Sequence, residues 1–191
     1  MGPRVLYAVL ATSMAVTACA SPAQQITTAS QIKTDDDQFK PFRQYKTGAI
    51  RNQPFDRPGD ANHEMELAAQ VQRTGGARAI GLQVRITYSG DFVRTYQEAR
   101  NAKADLLHIQ KVIHQTSGCS KQYGGCSRME FVVVDIPEAE LRNAGNEGYP
   151  IKLFPKVGAG LQLTIPKSLI ASLFTAVDAG EKQIAATQQK P

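Results

Sequence analysis

The residues Leu82, Val84, Ile86 and Tyr88 alternate with Gln83, Arg85 and Thr87. A period of two with β-branched members predicts a strand with one buried face. "RMEFVVVDIP" is a short apolar run that Pro137 ends, and it reads as a second, more deeply buried strand. Two short strands, Ile151–Phe154 and Leu161–Ile165, flank the flexible "VGAG". In "PKSLIASLFTAVDAG" the period changes. Leu169, Ile170, Leu173, Phe174 and Val177 fall on one helical stripe, with Pro166 suited to its start and Gly180 to its end. "PEAELRNAG" supplies one or two helical turns closed by Gly145.

The segment 92–114 supports two readings. As a helix it collects Phe92, Tyr96, Ala99, Ala102, Leu106, Ile109 and Ile113 on one face, with Asp91 as N-cap. As strands, Ser89-Gly90 makes a tight turn and gives strand 82–88 a hairpin partner. "DLLHIQKVI" then forms another strand with Leu107, Ile109 and Ile113 inward. The neighbouring strands need partners, which favours the second reading. The expected fold is mainly β within the α+β range: an antiparallel, sandwich-like domain with a C-terminal amphipathic helix. A long helix at about 92–114 is the alternative.

The first residues, "MGPRVLYAVLATSMAVTACA", change the picture. Arg4 precedes an apolar run from Val5 to Ala18, too short for a bilayer, which takes roughly 20 apolar residues. A charged start, an apolar middle and small residues before a cut are the layout of an export signal. Val16-Thr17-Ala18-Cys19 resembles the lipobox of bacterial lipoproteins. That resemblance covers this segment alone. It implies cleavage after residue 18, a diacylglycerol thioether on Cys19 and further acylation, typically palmitate, of its new amino group. Several acyl chains hold firmly, because each buried CH₂ contributes roughly 0.8 kcal/mol while one chain alone is marginal. Residue 20 is Ala, not the Asp that retains such proteins at the inner membrane in the enteric version of the family. The implied address is the outer membrane, facing the periplasm. An ordinary signal peptide with an incidental Cys19 is the alternative.

Residues 1–18 are then signal, and 19–38 a lipidated tether rich in Ala, Ser, Thr, Gln and Asp. That composition buries too little apolar surface to offset ordering. Asp35-Asp36-Asp37 lacks the ligand spacing of a calcium loop and reads as solvated charge. The folded domain is expected over 39–180, with a polar tail over 181–191. Without Arg4 the chain keeps all but one of its formal +5 charges. That balance favours anionic partners such as lipid headgroups or an anionic envelope polymer. Outside the cytoplasm, nucleic acid is a poor candidate.

Of the three cysteines, Cys119 and Cys126 remain once Cys19 carries lipid. Thiols of an exported domain tend to pair, and "CSKQYGGC" is short and flexible enough to close. The expected staple contributes about 2 kcal/mol through chain entropy. A metal clip would need His108 and His114, which lie roughly 20 Å apart on a straight strand. A redox pair would prefer C-x-x-C, which this spacing does not match. No metal site is therefore expected.

Catalytic signatures fail one by one. "HEMEL" begins like a zinc-protease motif, but position 67 is Leu. Ser30-x-x-Lys33 sits in the expected tether. No catalytic residue and no cofactor is assigned. The candidate contact surface comes from "FKPFRQYK" and the disulfide loop: Lys40, Arg43, Lys46, Lys121, Tyr123 and Arg128. Aromatic bodies and cationic tips both gain at an interface. An ordinary first strand, with its rings packed inward and its charges solvated, is the favoured reading of "FKPFRQYK".

The expected function is a lipid-anchored, non-enzymatic binding or accessory module of an envelope assembly, with the membrane and an envelope protein as partners. A periplasmic small-molecule or lipid binder is one alternative, and it needs a sizeable apolar cavity. An envelope hydrolase is the other. It needs a cleft where His63, His108 or His114 meets an acid and a nucleophile.

Overall fold

The computed structural model describes residues 31–52, 62–120 and 125–188. The chain forms the expected antiparallel, sandwich-like β domain with a C-terminal helix. The larger sheet contains β1 (Lys33–Asp35), β2 (Phe42–Lys46), β3 (Ile50–Asn52), β4 (Asn62–Gln72) and β5 (Arg78–Gly90). It is completed by β8 (Ile109–Ser120) and β9 (Gly125–Asp135). Its order is β1-β2-β4-β5-β9-β8, with β3 also on β4. The smaller sheet orders β11 (Leu161–Ile165), β10 (Tyr149–Pro155), β6 (Tyr96–Asn101) and β7 (Leu106–Leu107). Between β9 and β10 stands the short α1 (Glu138–Arg142).

Period two does what the sequence pattern asks. Leu67, Ala69 and Val71 of β4, Leu82, Val84 and Ile86 of β5, and Val132 and Val134 of β9 are buried. Ile151, Leu153, Leu163 and Ile165 of the smaller sheet join them in one continuous core. The helix α2 (Lys167–Gln188) buries Leu169, Ile170, Leu173, Phe174 and Val177 and packs on β2 and β4. Burying such side chains stabilises by about 1.5–3 kcal/mol each.

The segment 92–114 is β6, β7 and the first half of β8, not a helix. Nor do β5 and β6 form a hairpin at Ser89-Gly90. β5 continues through Gly90 and pairs with β4 and β9, while β6 pairs with β10 and β7 in the other sheet. In β8 the register skips Gln110, since Ile109 faces Val134 and Lys111 faces Val133. One extra residue reverses the parity of everything after it. Ile113, expected inward, is therefore exposed, and His114 falls on the same side of the sheet as Glu130, which it faces, while remaining partly exposed itself.

Both expected domain boundaries move. β1 lies inside the segment read as tether, paired to β2. The three aspartates that made that segment look unfoldable are engaged there. Asp35 pairs with Lys40, Asp36 with Arg43 and Arg73, and Asp37 accepts from the Phe39 amide. Ile32 packs against the core beside them. At the other end, α2 runs through Gly180 to Gln188 instead of stopping. Gly180 is a contact glycine, because a Cβ there would lie 1.9 Å from the Tyr45 hydroxyl. Past it, Arg78 of β5 grips both carboxylate oxygens of Glu181 and holds the next turn. Signal residues 1–18, Cys19, the upstream tether and the last residues of the tail lie outside the described residues.

His63 on β4 is buried, and its Nδ1 has no hydrogen-bond partner. Burial holds its pKa below the ordinary 6.5. The unfolded chain therefore takes up this proton first as pH falls. The stability tied to neutral His63 is complete above about 6.5 and is lost as pH falls through the lower folded-state value. Urea titrations between pH 7.5 and pH 5, roughly bracketing that window, are expected to show a smaller fall for His63→Gln than for wild type. Equal slopes would mean that His63 charges without penalty.

Candidate functional site

Period two directs Glu130 of β9 inward, alongside Val132 and Val134, and it is fully buried. A buried carboxylate is costly unless it is paired and hydrogen-bonded. Three successive backbone amides meet it: Arg94 and Thr95 donate to Oε1 at 3.0 and 3.1 Å, and Tyr96 donates to Oε2 at 3.3 Å. Such a run of N–H groups makes a concave anion seat. The Tyr88 hydroxyl donates to Oε1 at 2.5 Å and itself accepts from the Arg94 amide at 2.8 Å. His114 Nδ1 stands 3.4 Å from Oε2. Burial pushes the Tyr88 hydroxyl up to about 12, and its hydrogen bond to Glu130 adds to the rise. At neutral pH it stays a donor.

The seat fixes the crossover 91–95 that carries the chain from one sheet to the other. Thr95 has φ of +52° there, a left-handed conformation that is unfavourable for a β-branched residue. Its amide bond to Glu130 helps hold it so. Arg94 lays its guanidinium over the Tyr88 ring, 4.5 Å from the centroid. The crossover in turn binds the β10–β11 turn: Lys156 N donates to Thr95 O at 2.9 Å, and Val157 N to Arg94 O at 3.3 Å.

The β8–β9 hairpin ends at the same place. Cys119 and Cys126 face each other in register and are joined by a disulfide. Gly118, at φ +51°, is the extra residue that brings them opposite. Arg128 donates from Nε to Gly90 O at 2.9 Å and from Nη2 to Asp91 O at 2.5 Å. Gly125 meets Gly90 so closely that a Cβ would come within 2.9 Å of its carbonyl carbon. Crossover, disulfide hairpin and β10–β11 turn thus form one braced end of the domain, here called the loop end. Two large apolar residues project from it: Phe92, 73% exposed, and Val157, 50% exposed.

No protein-family model, no curated protein and no solved structure matches this chain. Its functional reading rests on residues and geometry.

The other histidine–acid pair lies at the opposite end of β8. His108 Nδ1 is 2.8 Å from Asp135 Oδ2, and Gln110 donates to the other oxygen. Asp135 N donates to His108 O at 2.8 Å, so the group fastens the corner where the chain passes from β7 to β8. It borders a groove of about 470 Å³ lined by Ile80, Leu106, Leu107, Ile136 and Pro137 beside Arg78. Among the described residues, that lining contains no Ser, Thr or Cys beside the imidazole. A second cleft, about 370 Å³, lies where Asn101 Nδ2 donates to Glu140 at 3.0 Å and to Asp105 at 3.1 Å. Tyr149 also donates to Glu140, which ties α1 to β6 and β10. Among the described residues no group of three His, Cys, Asp or Glu is placed to hold a metal ion. No helix among them is long and apolar enough to cross a membrane.

The residues expected to form a contact surface do not come together. Lys40, Arg43 and Lys46 lie at or beside β2, and their charges meet Asp35, Asp36 and Glu66. Tyr45 is buried beneath α2, while Phe39 is 88% exposed. Arg128 is three strands away on β9 and is occupied in clamping Gly90 and Asp91. Lys121 and Tyr123 lie outside the described residues. Sequence reasoning missed Glu130 and the Phe92–Val157 pair. The signal for Glu130 was present, since alternation through Val132 and Val134 puts it on the inner face.

Proposed function

We propose that this chain is a lipid-anchored, non-enzymatic module of the bacterial envelope, held through Cys19 at the periplasmic side of the outer membrane. The observation that carries the reading is the loop end. Among the described residues the fold's one fully buried carboxylate fixes the crossover, and a disulfide closes the adjoining hairpin. Apolar side chains stand exposed on that braced frame. Rigid presentation of apolar groups suits recognition, because little ordering remains for binding to impose. A disulfide-bonded pair also fits an oxidising compartment. The proposed partners are the membrane, through the anchor, and an envelope protein or anionic polymer.

Fractionation of expressing cells tests the anchor. The wild-type protein is expected to sediment with membranes and to leave them only in detergent, while Cys19→Ser remains unlipidated. A wild-type chain released by salt washing alone would overturn the anchor. A second reading, capture of a small molecule, is favoured by the groove at Leu107 and Ile136, whose 470 Å³ lies within the usual range of ligand sites.

A further inference from the structure

The loop end has a direction relative to the anchor. β5 runs from Gly81 to Gly90 towards the loop end; β2 runs the same way, and β1 runs against it. Register places Lys33 level with Gly81, through Lys46 and Ala68. The chain therefore enters β1 from the loop-end side. The nine residues from Gly81 to Gly90 span roughly 30 Å. The twelve residues from Cys19 to Gln31 reach up to roughly 40 Å when extended. An anchor at Cys19 can thus lie in the plane of the loop end without turning the domain over.

The chemistry of that end fits a lipid surface. Phe92 and Val157 are both exposed, on loops joined by backbone hydrogen bonds. Lys156 is exposed in the same turn. Asp91 is the opposing acid, and its own backbone oxygen is held by Arg128. Aromatic and aliphatic groups beside an exposed cation gain twice at an anionic interface, by burial and by electrostatic attraction.

We infer that the loop end docks on the anionic lipid headgroups of the membrane that carries the anchor, with Phe92 and Val157 entering the interface and Lys156 meeting lipid phosphate. This rests on the anchoring proposed above. The domain then lies against the bilayer rather than standing off on its tether, and the β4–β5 turn at Thr74 points away.

The chain contains no tryptophan, so a single introduced one reports its own position. Lipidated full-length protein carrying Phe92→Trp, Val157→Trp or Thr74→Trp is reconstituted into vesicles of phosphatidylethanolamine and phosphatidylglycerol with brominated acyl chains. Flotation reads the anchor, and quenching reads the docking. Phe92→Trp and Val157→Trp are expected to shift to the blue and to be quenched roughly twofold, as interfacial aromatics are. Thr74→Trp should be unaffected. Adding Lys156→Glu to Phe92→Trp should reduce quenching while flotation persists. Protein that floats with position 92 unquenched, or quenched no more than position 74, overturns the docking and leaves the anchor standing. Protein that does not float overturns the anchor, and the docking with it.

Discussion

Glu130→Ala loses about 3–5 kcal/mol of folding stability, the scale for stranding several buried hydrogen-bond donors at once. The alanine leaves the amides of Thr95 and Tyr96 and the Tyr88 hydroxyl without their acceptor, in a site with no exposure at Glu130. Each unsatisfied buried donor costs about 1–3 kcal/mol. Thr95 also loses part of what holds it at positive φ. Glu130→Gln keeps one acceptor oxygen but turns an NH₂ towards donors, so it falls between wild type and alanine. Urea unfolding followed by circular dichroism gives the magnitude. Hydrogen exchange at residues 94–96 locates it, with protection there lost before protection in β5. A loss under about 1 kcal/mol would mean that water replaces the carboxylate, and that the crossover is not held by it.

Gly180→Ala is the second large effect, and here two principles disagree in sign. Helix propensity alone predicts a gain of about 1 kcal/mol for replacing a helical glycine with alanine. Packing predicts a loss, because the new methyl would stand 1.9 Å from the Tyr45 hydroxyl and 2.9 Å from its ring carbon. Tyr45 is 3% exposed, so its ring is enclosed by the core and α2 and cannot swing out to solvent without leaving that packing. Overpacking of this kind costs about 1–3 kcal/mol, so the net change is a destabilisation. Thermal melting checks it. Combining Gly180→Ala with Tyr45→Phe should recover part of the loss, since the closest atom is then gone. A more stable Gly180→Ala would show that α2 does not lie on β2 as closely as described.

What the sequence shows of this fold follows the range of the physics involved. The alternation at 82–88, the run at 129–136 and the stripe of α2 are local patterns, and each forms the element it predicts. Gly180 reads as a helix stop because glycine usually is one, yet its reason is a side chain on β2 that no local pattern reveals. Ser89-Gly90 reads as a hairpin turn, but the crossover is set by Glu130, which arrives from β9. The skipped Gln110 has no residue signature, and it alone moves Ile113 from the expected inner face to the outer one. β1 hides in a polar segment whose aspartates look solvated until Lys40, Arg43 and Arg73 fold back on them. The loop end follows the same rule. Its cysteines are visible in sequence, whereas the loops that carry Phe92 and Val157 meet only when Lys156 and Val157 bond to the crossover.

The decisive measurement is the intact mass of the protein extracted from membranes, alkylated before and after reduction. The expected species begins at an acylated Cys19, with Cys119 and Cys126 alkylated only after reduction. A mass without lipid, or both thiols alkylated without reductant, would contradict that expectation.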